Sequence, residues 1–251
     1  MRVLEFGEQN TKTIVMFHAS CMTWDFLWKS IELLSKSFRV IVPVMPGYDM
    51  EEKSDYTSVE EIAKETEQYI MEHLNGEIDL LYGISMGGSI VIKMLANDTV
   101  KIKKALIDAG ITPVQLPPFL SNFIVLRDYS FMMTLKNSMK LFSLFVSKEK
   151  YGEGAFDRLR KVMLHASRKT IWNNFKSCNT YSMPEMMKKT DTKIWYWYGS
   201  KEKHTRKRDI AYVKKMFPQA ILEEISGFNH AEFVMLEPEA FVKKVKELDE
   251  E

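Results

Sequence analysis

Ile78-Asp79-Leu80-Leu81-Tyr82-Gly83-Ile84-Ser85-Met86-Gly87-Gly88-Ser89 is the stretch from which the rest of the chain is best read. The apolar run Ile78 to Tyr82 reads as a strand, and a helical pattern opens at Met86 and continues to about Ala96. Between them Gly83-Ile84-Ser85-Met86-Gly87 places a serine on a tight strand-to-helix turn. Such a serine sits in a strained backbone conformation, so the residues two before and two after it must be too small to clash. Its hydroxyl then stands above the sheet. The helix start aims backbone N–H groups and a positive dipole end at any negative charge that develops there.

Working outward, short apolar runs alternate with longer amphipathic ones, as in parallel strands joined by crossover helices. Strands are expected at Thr13–Phe17, Phe38–Pro43, Lys104–Asp108, Lys193–Tyr198 and Ala220–Ile225. Helices are expected at Trp24–Ser37, Ser58–Leu74, Lys207–Phe217 and from Phe233 to Leu248. The predicted architecture is a doubly wound α/β sheet, mostly parallel. From Thr112 to Thr190 the alternation stops, and Tyr129–Val146 and Phe156–Ala166 carry helix periodicity with no convincing strand. This predicts a helical insert, residues 112–190, between core segments 1–111 and 191–251.

The chain has 251 residues, 45% hydrophobic and 27% charged, enough to bury a sizeable core. Its net charge of +1 supplies no whole-molecule field for a polyanion, so nucleic acid is not an expected partner. Divided at the insert, the balance changes: residues 112–190 hold 13 Lys plus Arg against 5 Asp plus Glu, and the remainder holds 22 against 29. A basic insert should therefore sit on an acidic core, where opposite charge favours docking and steers anionic substrates. Lysine outnumbers arginine 27 to 8, a skew that carries no chemistry by itself. The two cysteines, Cys21 and Cys178, lie far apart outside any metal-ligand spacing, which predicts buried thiols and no metal site. With no apolar run of membrane-spanning length and no signal-peptide pattern at Met1–Gly7, a cytoplasmic protein is expected.

Four further motifs complete the pattern: Phe17-His18-Ala19-Ser20 after an early strand, Pro46-Gly47-Tyr48-Asp49 after the next, Tyr198-Gly199-Ser200-Lys201-Glu202 after a late one, and Gly227-Phe228-Asn229-His230 near the end. With the Ser85 turn, these make the chain resemble the α/β-hydrolase fold family over nearly its full length, with the insert where that family carries its cap. The resemblance implies Ser85 as nucleophile and His230 as general base, in the chain order Ser, acid, His. For the acid it implies Glu202, with Asp108 in Leu106-Ile107-Asp108-Ala109-Gly110 as the alternative. The backbone N–H groups of Met86 and Ser20 are the implied oxyanion donors, with Cys21 next in line, although Ala19 stands where the family usually has glycine. His18 is implied to be structural. His73 and His165 sit in helical runs and His204 in a charged one.

The expected function is a cap-bearing serine esterase acting through an acyl-enzyme on a small ester-like substrate, without cofactor or metal. Two alternatives stay open: the same fold cleaving a thioester, lactone, peptide or C–C bond, and a hydrolase homologue that binds a ligand without turnover.

Overall fold

The computed structural model describes residues 1–188 and 190–250. In chain order its elements are β1 (Arg2–Phe6), β2 (Thr13–Phe17), a 3-10 turn over Trp24–Leu27 leading into α1 (Trp28–Leu34), β3 (Arg39–Val44), α2 (Val59–His73), β4 (Glu77–Ile84), α3 (Met86–Asn97) and β5 (Lys101–Asp108). The insert contributes α4 (Pro118–Asn137), α5 (Met139–Phe145), α6 (Lys148–Tyr151), α7 (Glu153–His165) and α8 (Arg168–Thr180). The chain then returns through β6 (Lys193–Gly199), α9 (Lys203–Met216), β7 (Ile221–Ile225), α10 (Glu232–Leu236) and α11 (Pro238–Glu250).

The strands form one seven-stranded sheet in the order β1-β3-β2-β4-β5-β6-β7. All neighbours are parallel except β1, which runs antiparallel to β3 along one edge. Central strands β2 and β4 are apolar on both faces because helices cover both. One buried cluster, with Ile41, Ile62, Ile90 and Ile107, fills the side facing α2 and α3, and the other, with Ile31, Trp197 and Phe241, the side facing α1 and α11. The order reverses at β2, whose neighbours are β3 and β4, so a crevice opens beyond the carboxyl ends of these strands.

Several expected boundaries shift for local reasons. The helix expected over Tyr129–Val146 is two helices, because Ser138 leaves helical geometry and its hydroxyl accepts the Leu141 N–H as an N-cap. Ser147 and Ser167 cap α6 and α8 in the same way. The single C-terminal helix divides before Pro238, which cannot donate within a helix but suits a first turn. Helix α9 begins at Lys203, four residues before the expected Lys207. Strand β1 was not expected at all: Arg-Val-Leu-Glu-Phe lacks clean alternation, and its half-buried edge position asks for none.

Candidate active site

Sequence makes the Ser85 turn by removing side chains. Ser85 has φ +55° and ψ −113°, outside helix and strand geometry. A Cβ on Gly83 would lie 2.2 Å from the Gly87 carbonyl oxygen, and one on Gly87 would lie 2.7 Å from both Cβ and O of Phe17. Packing thus demands glycine at both positions. The strained residue is held by its own N–H, which donates to the Asp108 carbonyl at 2.8 Å, and by its carbonyl, which accepts the Ser89 N–H at 3.1 Å. Helix α3 starts at the next residue and presents its dipole to the serine.

The turn after β7 carries His230, and the start of α9 carries Glu202. His230 Nδ1 lies 2.8 Å from Glu202 Oε2, which places the ring proton on Nδ1, donated to the carboxylate, and leaves Nε2 as the acceptor. Glu202 is buried, and burial alone would raise its pKa. The hydrogen bond and charge of His230, the Arg206 guanidinium 3.1 Å away and the Gly199 N–H outweigh burial and hold it below the ordinary carboxylate range. Asp108, the alternative acid, behaves in the opposite way. It is buried, accepts from the Tyr82 hydroxyl at 3.1 Å, and is pushed up to about 7 by burial and then by the charge of Glu202. His230 therefore meets an ionised glutamate, while the nearby aspartate tends to keep its proton.

Ser85 and His230 line one cavity of about 620 Å³ together with residues Ala19 to Met22 of the loop after β2. Ser20 thus lines the same cavity as Ser85, as does Cys21, whose φ is +58° and whose buried thiol is pushed up to about 12. His18 is fully buried, its Nδ1 2.9 Å from the Ala19 carbonyl, and burial lowers its pKa to about 4, so it is a neutral packing residue. A larger cleft of about 720 Å³ lies at the opposite ends of β5 and β6, walled by Lys101, Lys103, Lys104 and Lys193, with neither serine nor histidine in its lining. Among the described residues, no group of three or more His, Cys, Asp or Glu converges as a metal site.

Two features escaped the sequence. Asn174 of α8 is fully buried: its Oδ1 accepts from Ser20 Oγ at 2.8 Å, and its Nδ2 donates to Met86 Sδ. It joins the two residues expected to supply the oxyanion donors, but an asparagine amid a helical insert gives no local signal of this. The second is Arg206, in the charged run that also holds His204. It turns inward to Glu202 and, at 3.2 Å, to buried Asp209. Its spacing of four residues from Glu202 on a helix was the signal that could have found it.

A fold and site of this kind define a class. A family model described as alpha/beta hydrolase fold matches residues 12–234, and the chain belongs to that family. Among solved structures it is similar to an alpha/beta hydrolase family protein from Desulfitobacterium hafniense, at 15% identity and TM-score 0.75, covering 98% of this chain and 99% of that one. It is also similar to an esterase from Exiguobacterium antarcticum, at 17% identity and TM-score 0.74 with 99% and 95% covered. The enol-lactonase from Burkholderia xenovorans LB400 matches at 16% identity and TM-score 0.72, with 100% and 96% covered. Likeness at these identities is a likeness of fold. No curated protein matches the sequence. No helix among the described residues is long and apolar enough to cross a membrane.

Proposed function

We propose that the protein is a serine hydrolase of small carboxylic esters, with the helices between β5 and β6 as its cap. The observation that carries this reading is the strained Ser85 sharing a cavity with His230, whose other ring nitrogen is tied to Glu202. His230 Nε2 takes the Ser85 hydroxyl proton as Oγ bonds to the ester carbonyl carbon. The oxyanion that forms is received by the N–H groups of Met86 and Ser20, and each such donor is typically worth ~3 kcal/mol in the transition state. Collapse of this intermediate breaks the ester C–O bond, and the imidazolium returns the proton to the leaving alkoxide. Water, deprotonated by His230, then attacks the acyl-enzyme and restores Ser85. Glu202 holds the required tautomer and stabilises the imidazolium without taking the proton itself.

The enol-lactonase similarity favours a second reading at the same site, an internal ester opened by the same two steps. A fluorophosphonate probe should label the protein but not Ser85→Ala, and ester turnover should vanish with the label. Equal labelling of both proteins would remove Ser85 from the mechanism, whereas labelling without turnover of esters, thioesters or lactones would leave a binding protein.

A further inference from the structure

We propose that the ester cleaved at Ser85 carries a carboxylate remote from the scissile bond, and that Arg208 of α9 and Arg127 of α4 recognise it. The proposal rests on the serine-hydrolase reading and adds a substrate class to it. Only 8 of the 35 basic residues are arginine, yet Arg127, Arg206 and Arg208 all line the cavity that holds Ser85, and no lysine does. The larger cleft at the other end of the sheet shows the reverse, with four lysines and no arginine. A lysine is a hydrated point charge that suits an open surface. An arginine offers a planar fork of donors that matches a carboxylate in two hydrogen bonds.

The three arginines are not equivalent. Arg206 is occupied, with Glu202 on one side and Asp209 on the other. Asp209 is occupied as well, since it accepts from the Thr112 N–H at 2.9 Å and from the Thr112 hydroxyl at 2.7 Å. Arg208 donates only through Nη2, at 3.4 Å to the Thr112 carbonyl and 3.5 Å to Asp209, and its side chain is 46% exposed. Among the described residues its Nε and Nη1 have no partner and Nη2 makes only these two long contacts, so donors on the guanidinium remain for a ligand. Arg127 pairs only with its chain neighbour Asp128, through Nε and Nη2 on a single oxygen.

Charge selects the ligand further. Asp128 and Asp209 also line this cavity, so a dianionic phosphate would meet two carboxylates, while a singly charged carboxylate is matched by the spare donors of Arg208 and Arg127. Ile124, Phe131, Met132 and Phe175 supply an apolar wall of the same cavity, suited to a short methylene spacer between the carboxylate and the ester.

The test compares 4-nitrophenyl hydrogen adipate with 4-nitrophenyl hexanoate, which differ by a terminal carboxylate in place of a methyl group. The protein should favour the adipate in kcat/KM by about tenfold or more, the range expected of a hydrogen-bonded charged pair. Arg208→Gln should lower the adipate-to-hexanoate ratio by about tenfold, Arg208→Lys should recover only part of it, and Arg127→Gln, on a separate helix, should lower it independently. Hexanoate turnover serves in each variant as the control for an intact fold. Ser85-dependent hydrolysis of hexanoate with no preference for adipate, or a ratio unmoved by both glutamine variants, would overturn the carboxylate proposal and leave the hydrolase reading standing. If Ser85→Ala changed turnover of neither ester, both would fall together.

Discussion

Glu202 and Asp108 lie just beyond and at the carboxyl ends of neighbouring strands, and their surroundings treat the two carboxyls oppositely. Glu202 is held ionised by His230 and Arg206, whereas Asp108 has only the Tyr82 hydroxyl and is pushed up to about 7. Glu202→Gln should therefore lower kcat by on the order of a thousandfold or more, and Asp108→Asn should leave most of it. Asp108 has a stability signature too. Its ordinary value is 3.8 and its folded value about 7, so between these the folded chain binds more protons than the unfolded one. Stability from this group is complete below about pH 4 and is lost as pH rises toward and through 7, by on the order of 2–4 kcal/mol. Asp108→Asn should then be more stable than the parent at pH 8 by more than at pH 4, as measured by urea unfolding at the two pH values. Both carboxylates were legible in the sequence as candidate acids. The sequence put Glu202 first and Asp108 second, but the contrast between their surroundings was not legible, because it depends on Arg206 and Tyr82, which only the folded chain brings alongside. Asn174 was still less legible, since its partners are 154 and 88 residues away. Replacing it with Leu keeps the branched shape but removes both polar atoms and frees the Ser20 turn and Met86, so kcat should fall by about tenfold or more with KM little changed. A rise in KM with kcat unchanged, so that kcat/KM falls by the same factor, would instead mark Asn174 as part of substrate binding.

At the level of elements, the turn after β4 is the best-read part of the chain because its sequence rule is steric and local. Gly83, Gly87 and Gly88 are needed where strand, helix and the Phe17 and Gly110 backbones approach too closely for a Cβ. A Cβ on Gly88 would lie 2.5 Å from the Gly110 Cα, backbone against backbone, so Gly88→Ala should destabilise by about 1–3 kcal/mol and displace Ser85. Gly154 in α7 is the contrasting case, with nothing within 4 Å of an added Cβ, and Gly154→Ala should be neutral or stabilising by up to about 1 kcal/mol. Urea midpoints of the two variants check the pair. Elements whose rule is tertiary were read less well. Strand β1 exists because the edge of β3 is free to pair and Arg2 can reach Asp49 in a two-pronged ion pair, neither of which leaves a period in Arg2–Phe6. The breaks at Ser138 and Pro238 did leave local signals, a capping serine and a proline, which the longer apolar periodicity masked.

Across the whole molecule, the basic insert and acidic core do meet through charge. Arg158 pairs with Asp25 at 3.1 Å, Lys169 with Asp55 at 3.2 Å, and Lys150 with Glu232, each a cation of the insert on an acid of the core. Magnitudes decide what these pairs do. The exposed pairs, Arg158 with Asp25 and Lys169 with Asp55, contribute about 0.2–1 kcal/mol each, less as salt rises, whereas Lys150 meets a buried Glu232. Phe142, Phe156 and Ile171 of the insert are instead fully buried in the same apolar cluster as Val15, Tyr48 and Met86 of the core. Truncating one such phenylalanine costs about 3–5 kcal/mol. Apolar packing therefore outweighs these pairs in holding the insert in place. The double variant Arg158→Gln, Lys169→Gln should lose no more than about 2 kcal/mol and keep its reaction with a fluorophosphonate, whereas Phe156→Ala alone should lose more and expose the insert to protease. Unfolding free energies and the rate of limited proteolysis measure both. A double variant as damaged as Phe156→Ala would mean that charge, not the shared core, docks these helices over Ser85.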